Sequence, residues 1–153
     1  MAKPITDLTK DIRKLIENGR AAAGPGIVQS LQSRGPWWTG NFGRLWELDI
    51  KPIMPIVDNQ RDIDNPTKKP TSFLRLPSVK AKINEALYVG NLADYAGYAV
   101  NEDKIDGETY GSERPPLRRT AKSVDWYKVY TRGGEGSPLF LDLDKAFASV
   151  RLG

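Results

Sequence analysis

The side chains best suited to chemistry in this sequence are two groups of carboxylates. Glu47 and Asp49 are two residues apart, so a β-strand would place both on one face. Such a pair could support glycoside hydrolysis, but the two acids of a glycosidase normally come from separate elements around a cleft. A strand with one solvated face produces the same alternation. We therefore interpret Glu47 and Asp49 as solvent-facing acids.

The second group is Asp58, Asp62 and Asp64, which superficially resembles an oxygen-ligand site for a cation. A calcium loop also requires a glycine at its sixth position and a bidentate glutamate at its end, and both are missing here. The sequence therefore predicts no bound metal and no cofactor.

Histidine and cysteine do not occur in the 153 residues. The commonest general base and the commonest metal ligand are thus missing, and disulfides and thiolate metal sites are excluded. The glycine-bearing segments GNFG (40–43) and GGEG (133–136) lack the spacing of a phosphate-binding loop. Together these features favour a protein that is not an enzyme.

Tryptophan is concentrated in RGPWWTGNFGRLW (34–46), where three indoles share a short stretch with glycine and proline. We expect Trp46 in the core and Thr39-Gly40 as the cap and turn that start a β-region. Trp37 and Trp38 should then flank the junction, one packed inward and one toward a neighbouring subunit, because tryptophan is a preferred interface anchor. A sugar-binding platform in a carbohydrate-active enzyme is an alternative role for this pair.

Charge is distributed in patches of alternating sign. Residues 1–34 carry six basic and three acidic side chains, and residues 113–132 carry six basic and two acidic ones. Residues 101–108 carry one basic and four acidic side chains. Such patches could orient subunits head to tail, although solvated surface produces similar runs.

A pair of arginines, Arg118 and Arg119, lies near Trp126 and Tyr127 in the last basic patch. Arginine and aromatic residues together are enriched at protein interfaces. They could also bind a nucleic-acid backbone while bases stack on the rings. A small basic nucleic-acid-binding protein is therefore the second interpretation of this chain.

Few regular elements are available to position these residues. Apolar periodicity predicts a helix over 5–18, with Gly19 as its C-terminal cap and a break at 21–26. The remaining predicted elements are a short helix at 27–33, strands at 44–50 and 78–90, a tight helical turn at 92–100, a helix passing into extended chain over 117–131, and a terminal helix at 139–150.

These elements predict one α+β domain over residues 1–153, in which a small antiparallel sheet is flanked by an N-terminal amphipathic helix and a C-terminal helix. Residues 51–77 and 101–116 should be extended loops or inter-subunit arms, because long polar, proline-bearing stretches bury little. The N-terminus lacks the apolar core of a signal peptide, and no run reaches the length of a membrane span. We therefore expect assembly in a cytosol and no membrane partner.

Two motifs resemble the neck and tail-completion proteins of tailed bacteriophages, the minor tail component family. WTGNFGRLWELDI (38–50) is similar to that family's threonine-glycine pair, which follows an N-terminal helix and opens a β-region. YVGNLADYAGYAVNE (88–102) is similar to its strand, asparagine and tyrosine-alanine turn, with Asn91, Tyr95 and Tyr98 in the matching places. The resemblance covers residues 35–102, with a longer insertion at 51–77 than is usual in the family.

The resemblance implies a structural protein that forms a ring of about six or twelve subunits between portal and tail. Its expected partners are further copies of itself, the adjacent portal, adaptor or head-closure proteins and the tail-tube protein. Genomic DNA would pass through the lumen without sequence-specific binding, and the protein would reside in the neck or tail of the virion. The resemblance does not distinguish a connector ring from a tail terminator. The residues expected to serve structure or interface are Trp37, Trp38, Thr39, Gly40, Trp46, Asn91, Tyr95, Tyr98, Arg118, Arg119 and Trp126.

Overall fold

The computed structural model describes residues 4–37, 40–54, 77–93, 100 and 126–150. Within them the chain has the α+β architecture predicted from the sequence, with helices and one small antiparallel sheet. The elements in chain order are α1 (Ile5–Arg34), α2 (Asn41–Arg44), β1 (Trp46–Asp49), β2 (Tyr88–Asn91), α3 (Trp126–Thr131) and α4 (Pro138–Ser149). Most of the predicted arm at 51–77, all of the one at 101–116, and most of the predicted turn at 92–100 lie outside the described residues.

The sheet consists of β1 and β2, which pair antiparallel with Trp46 opposite Asn91. Along β1, Trp46 and Leu48 are buried while Glu47 and Asp49 are exposed, so the two acids do face solvent. The strand is shorter than the predicted 44–50 because α2 and a turn at Leu45 come first.

Strand β2 is much shorter than the strand predicted over 78–90, so that prediction is wrong for most of its length. Only Tyr88–Asn91 is a strand, because a turn at 83–85 interrupts the chain. The Glu85 N–H donates to the Lys82 carbonyl and the Glu85 carboxylate accepts from the Lys82 N–H, both at 2.9 Å.

This turn is bound to α1 by hydrogen bonds. The Arg20 guanidinium donates to the carbonyl oxygens of Lys82 at 3.0 Å and Glu85 at 2.5 Å. The Glu17 carboxylate accepts from the Ile83 N–H at 3.0 Å. Apolar alternation along 78–90 carries no information about these partners on α1, so the pattern alone predicted a continuous strand.

Helix α1 is unbroken over 30 residues. The predicted cap at Gly19, the break at 21–26 and the separate helix at 27–33 are therefore wrong. Pro25 lies inside the helix, where proline removes one backbone hydrogen bond and clashes with the preceding turn. Because most helix stability in proteins comes from tertiary packing, the buried side chains of Val28 and Leu31 can offset that cost.

Two glycines of α1 serve as close-contact surfaces. A β-carbon added at Gly19 would overlap the ring of Phe147 on α4, and one added at Gly24 would lie 2.7 Å from Leu48 Cδ1 on β1. Glycine often marks the end of a helix in a sequence, but Gly19 and Gly24 instead allow α4 and the sheet to approach the α1 backbone.

Paired glycine substitutions in α1 should change stability in opposite directions. Gly26 has nothing within 4 Å of an added β-carbon, so Gly26→Ala should stabilise the protein by about 0.5–1 kcal/mol through helix propensity. Gly19→Val should destabilise it by about 2 kcal/mol, because the side chain must displace Phe147. Urea unfolding followed by circular dichroism measures both. Equal effects of the two substitutions would contradict the contact between Gly19 and α4.

The C-terminal part contains two helices. The predicted helix at 139–150 is confirmed as α4, which begins at Pro138, a position where proline's missing N–H is not needed. The extended chain predicted toward residue 131 is wrong, because Trp126–Thr131 forms α3. One helical turn separates Trp126 from Tyr130, so both can be buried on the same side.

The hydrophobic core lies where α1, the sheet and α3 meet. Its buried members are Val28, Leu31, Phe42, Trp46, Leu48, Ala93, Trp126 and Tyr130. Helix α4 closes this core from the side of α1, where partly buried Leu139 packs against it.

Candidate functional site

The opening tryptophan of the 34–46 stretch, Trp37, packs on a glycine turn. Gly40 has a φ of 88°, which L-residues with a side chain rarely adopt. A β-carbon at Gly40 would lie 2.6 Å from Trp37 Cζ2, and one at Gly43 would overlap the same ring. The Arg44 guanidinium carbon lies 5.3 Å from the ring centroid, within cation–π range. Both glycines and the arginine therefore hold the Trp37 indole in place.

Phe42 connects two further indoles at the centre of the core. Its ring lies 5.5 Å from Trp46 and 6.1 Å from Trp126, both edge to face, the geometry that aromatic quadrupoles favour. Trp126 also contacts Tyr127 at 5.5 Å. The indole Nε1 of Trp46 is buried without a hydrogen-bond partner, so Trp46 contributes by packing alone.

Asn91 joins the end of the sheet to the glycine turn. Its side chain is 7% exposed. Its Nδ2 donates to the Phe42 carbonyl at 2.8 Å, and its Oδ1 accepts from the Ala93 N–H at 3.0 Å. Both functions of the amide are used, which leucine or aspartate at this position would not reproduce.

The described site residues predicted from the sequence meet in this one region. Trp37, Trp46 and Trp126 are each at most 5% exposed, and Asn91 and Gly40 are also buried. These residues therefore pack inside the subunit. The remaining predicted site residues lie outside the described residues: Trp38, Thr39, Tyr95, Tyr98, Arg118 and Arg119.

A polar cluster that the sequence did not reveal joins α1, α3 and α4. The Asp142 Oδ2 accepts hydrogen bonds from the Tyr130 hydroxyl at 2.7 Å and from the Ser30 hydroxyl at 2.6 Å. The Arg34 guanidinium carbon lies 5.5 Å from the Tyr130 ring centroid. Ser30 and Asp142 are 112 positions apart, so no local spacing signals their contact.

Tyr130 should make stability fall at alkaline pH. Burial raises the pKa of its hydroxyl, and the hydrogen bond to Asp142 and that residue's negative charge raise the pKa further. Above about pH 10 an unfolded tyrosine ionises while Tyr130 stays protonated, so the free energy of unfolding should fall by up to about 1.4 kcal/mol per pH unit. The contribution is fully present below pH 10.

Urea unfolding between pH 8 and pH 11 measures this loss. Tyr130→Phe should make the stability curve flatter over that range, whereas Tyr88→Phe, on an exposed side chain, should leave its slope unchanged. The same slope in Tyr130→Phe as in the parent protein would contradict this assignment.

Apolar side chains are also exposed on the described surface. Ile5, Leu8 and Ile12 are 83%, 52% and 48% exposed on the first half of α1, and Phe140 and Leu141 are 41% and 55% exposed on α4. Groups of apolar residues left in solvent mark interaction sites more often than isolated ones do. The described ranges contain no group of three or more acids that could hold a metal ion, and no helix in them has the length and apolar character to cross a membrane.

Comparison with known proteins finds no matching family model, no matching curated protein and no matching solved structure.

Proposed function

We propose that this chain is a structural head-to-tail connection protein of a tailed bacteriophage, which forms a homo-oligomeric ring around the DNA channel. In this role it acts through contacts with copies of itself and with neighbouring ring proteins, and it carries out no reaction. The apolar surface on the first half of α1 is the observation that carries the self-association part of this proposal, and the bacteriophage role rests on the resemblance of the two sequence motifs. The exposed side chains of Ile5, Leu8 and Ile12 form a group of the kind that marks an interaction site.

The positions of the two resembling motifs support the same proposal. The first contains the left-handed turn at Gly40 and strand β1, and the second begins with β2. The two strands pair, and the Asn91 side chain bonds to the Phe42 carbonyl. The described parts of the two motifs, which are separated in the sequence, thus lie together next to the end of α1.

The charge distribution fits contacts between subunits that face each other in a defined direction. The basic segments 1–34 and 113–132 alternate along the sequence with the acidic segment 101–108. Opposite charges on the two sides of a subunit orient neighbours and speed their encounter. In a closed ring such heterologous contacts repeat around one axis.

The test is whether the chain belongs to virus particles and forms rings. Mass spectrometry of purified virions should detect it, and electron microscopy of the purified chain or of neck complexes should show rings. Comparison of DNA-filled heads with free tails then separates the two roles, because a connector should remain with the heads and a tail terminator with the tails. A chain that stays monomeric and is absent from particles would overturn the proposal.

A further inference from the structure

Helix α4 lies at the edge of the hydrophobic core. Ala146 is its one buried residue. Among the described residues, the buried members of the core lie on α1, α2 and α3 and in or beside the sheet, and none lies on α4. The preceding helix α3, by contrast, contributes Trp126 and Tyr130 to the core. The boundary between the core and α4 therefore falls in the loop that joins these two helices.

This loop contains three glycines, at positions 133, 134 and 136, and we call residues 133–136 the glycine loop. A β-carbon added at any of the three would meet nothing within 4 Å, so close packing does not require glycine there. Gly134 and Gly136 have φ angles of 112° and 78°, which side chains disfavour. Backbone freedom is thus what the glycines supply, as at a hinge.

A polar contact holds the middle of α4 in place. The Asp142 carboxylate accepts hydrogen bonds from the hydroxyls of Ser30 on α1 and Tyr130 on α3. Further along α4, Phe147 packs on Gly19, so α4 runs antiparallel to α1. Water can bond to all three polar groups once α4 leaves, and the net contribution of such hydrogen bonds is therefore modest.

We propose that α4 opens as a unit about the glycine loop, while α1, α2, α3 and the sheet stay packed. Elements with few buried apolar contacts are the ones that open locally in native proteins. In the open form the side of α1 that carries Gly19 and Ser30 becomes accessible, together with the Tyr130 hydroxyl. Opening thus exposes a surface that α4 covers in the structure. This inference goes beyond the proposed function, because it concerns movement within one chain.

Hydrogen exchange of the full-length chain, followed by NMR under native conditions, tests whether α4 opens separately. Rates are compared with those of the unfolded chain. The amides of residues 142–146, in the middle of α4, should share one level of protection, as expected for a unit. They should exchange at least about tenfold faster than the Leu31 amide in the core. Equal protection of α4 and Leu31 would overturn the proposal.

A core variant distinguishes local opening from unfolding of the whole protein. Val28 is fully buried in the core and lies two residues from Ser30, hence on nearly the opposite side of α1 from α4. Val28→Ala should speed exchange at Leu31 at least about fivefold, because Leu31 exchanges by global unfolding. Residues 142–146 should keep their parent rates. If they responded as strongly as Leu31, α4 would not open on its own.

Variants of the glycine loop test where α4 turns. Gly134→Ala is strained at the packed φ of 112°, and opening relieves that strain, so exchange at 142–146 should rise at least about fivefold. Gly133 has open space and no positive φ. Gly133→Ala should therefore slow the same exchange about two- to fivefold, because alanine limits the freedom of the open loop. An unchanged α4 rate in Gly134→Ala would rule out the hinge.

Variants of α4 test the role of Asp142. Asp142→Ala leaves the Tyr130 hydroxyl buried without its acceptor, so exchange at 142–146 should rise at least about fivefold. Asp144→Ala, which removes an exposed carboxylate from the same helix, is the matched control and should change these rates less than about twofold. Equal effects of the two variants would show that Asp142 does not hold α4 closed.

The outcomes are independent of those for the proposed function. If α4 exchanges only with the core, the opening is wrong, and a ring built from closed subunits is unaffected. If α4 opens as proposed but the chain is absent from virus particles, the opening stands and the bacteriophage role is wrong.

Discussion

Trp126→Ala should destabilise the protein by about 4 kcal/mol, the usual cost of removing a large buried aromatic ring. The indole is 4% exposed and packs edge to face on Phe42. Its Cη2 also lies 3.2 Å from the position of a β-carbon on Gly35, where α1 ends. Removing it would leave a cavity between α1, α2 and α3. Since domains are stable by about 5–15 kcal/mol, this single change could remove much of the total.

Thermal unfolding should show the same loss as a fall in Tm of about 12 °C for a chain of this size. Trp126→Phe keeps part of the ring contact and should cost about half as much. Tyr88→Ala, on an exposed strand residue, is the surface control and should change Tm little. If Trp126→Ala and Tyr88→Ala lowered Tm equally, Trp126 would not be a core residue.

Asn91→Leu should destabilise the protein by about 3 kcal/mol. Leucine has a similar volume but leaves the Phe42 carbonyl and the Ala93 N–H without their partners. Each buried polar group without a partner costs about 1–3 kcal/mol. Because these bonds connect β2 to the glycine turn, the loss should appear in cooperative unfolding of the whole described core, measured with urea.

Asn91→Asp separates the two bonds. Aspartate keeps an oxygen acceptor for the Ala93 N–H but has no N–H for the Phe42 carbonyl, and it places a carboxylate beside that oxygen. It should therefore destabilise the protein at neutral pH at least as much as leucine and less at acidic pH, where the carboxyl is protonated and can donate. A stable Asn91→Asp protein at neutral pH would contradict the bond to Phe42.

Short-range patterns in the sequence correctly predicted helix α4 and strand β1. The apolar row of 139–150 predicted α4, and the alternation of Trp46 and Leu48 with two acids predicted β1. The α+β class followed from the same patterns.

The same rules failed where distant parts of the chain decide the structure. Gly19 and Pro25 indicate helix ends by their intrinsic preferences, yet α1 passes through both because α4 and β1 pack against it there. The alternation at 78–90 predicted a long strand, but hydrogen bonds from Arg20 hold a turn in its middle. Local preference amounts to about 1 kcal/mol for a glycine, which a few tertiary contacts exceed.

The candidate site was likewise predicted from the sequence only in part. Residue type marked Trp37, Trp46 and Trp126 in the sequence, because tryptophan is a preferred core and interface residue, whereas Asn91 was marked only by the resemblance to the neck and tail-completion proteins. Only the tertiary structure showed that Trp46, Trp126 and Asn91 all contact Phe42.

What the sequence by itself determined is the α+β class, helix α4, strand β1 and the absence of histidine and cysteine chemistry. The tertiary structure decided which glycines are contact surfaces, that Tyr130 and Ser30 share Asp142, and that the apolar row beginning at Ile5 lies in solvent. The physical reason is the sequence distance between contacting residues. Periodicity shows which side of a helix or strand is apolar, but the residues that cover that side lie far away in the chain. For the first half of α1, we propose that they belong to another copy.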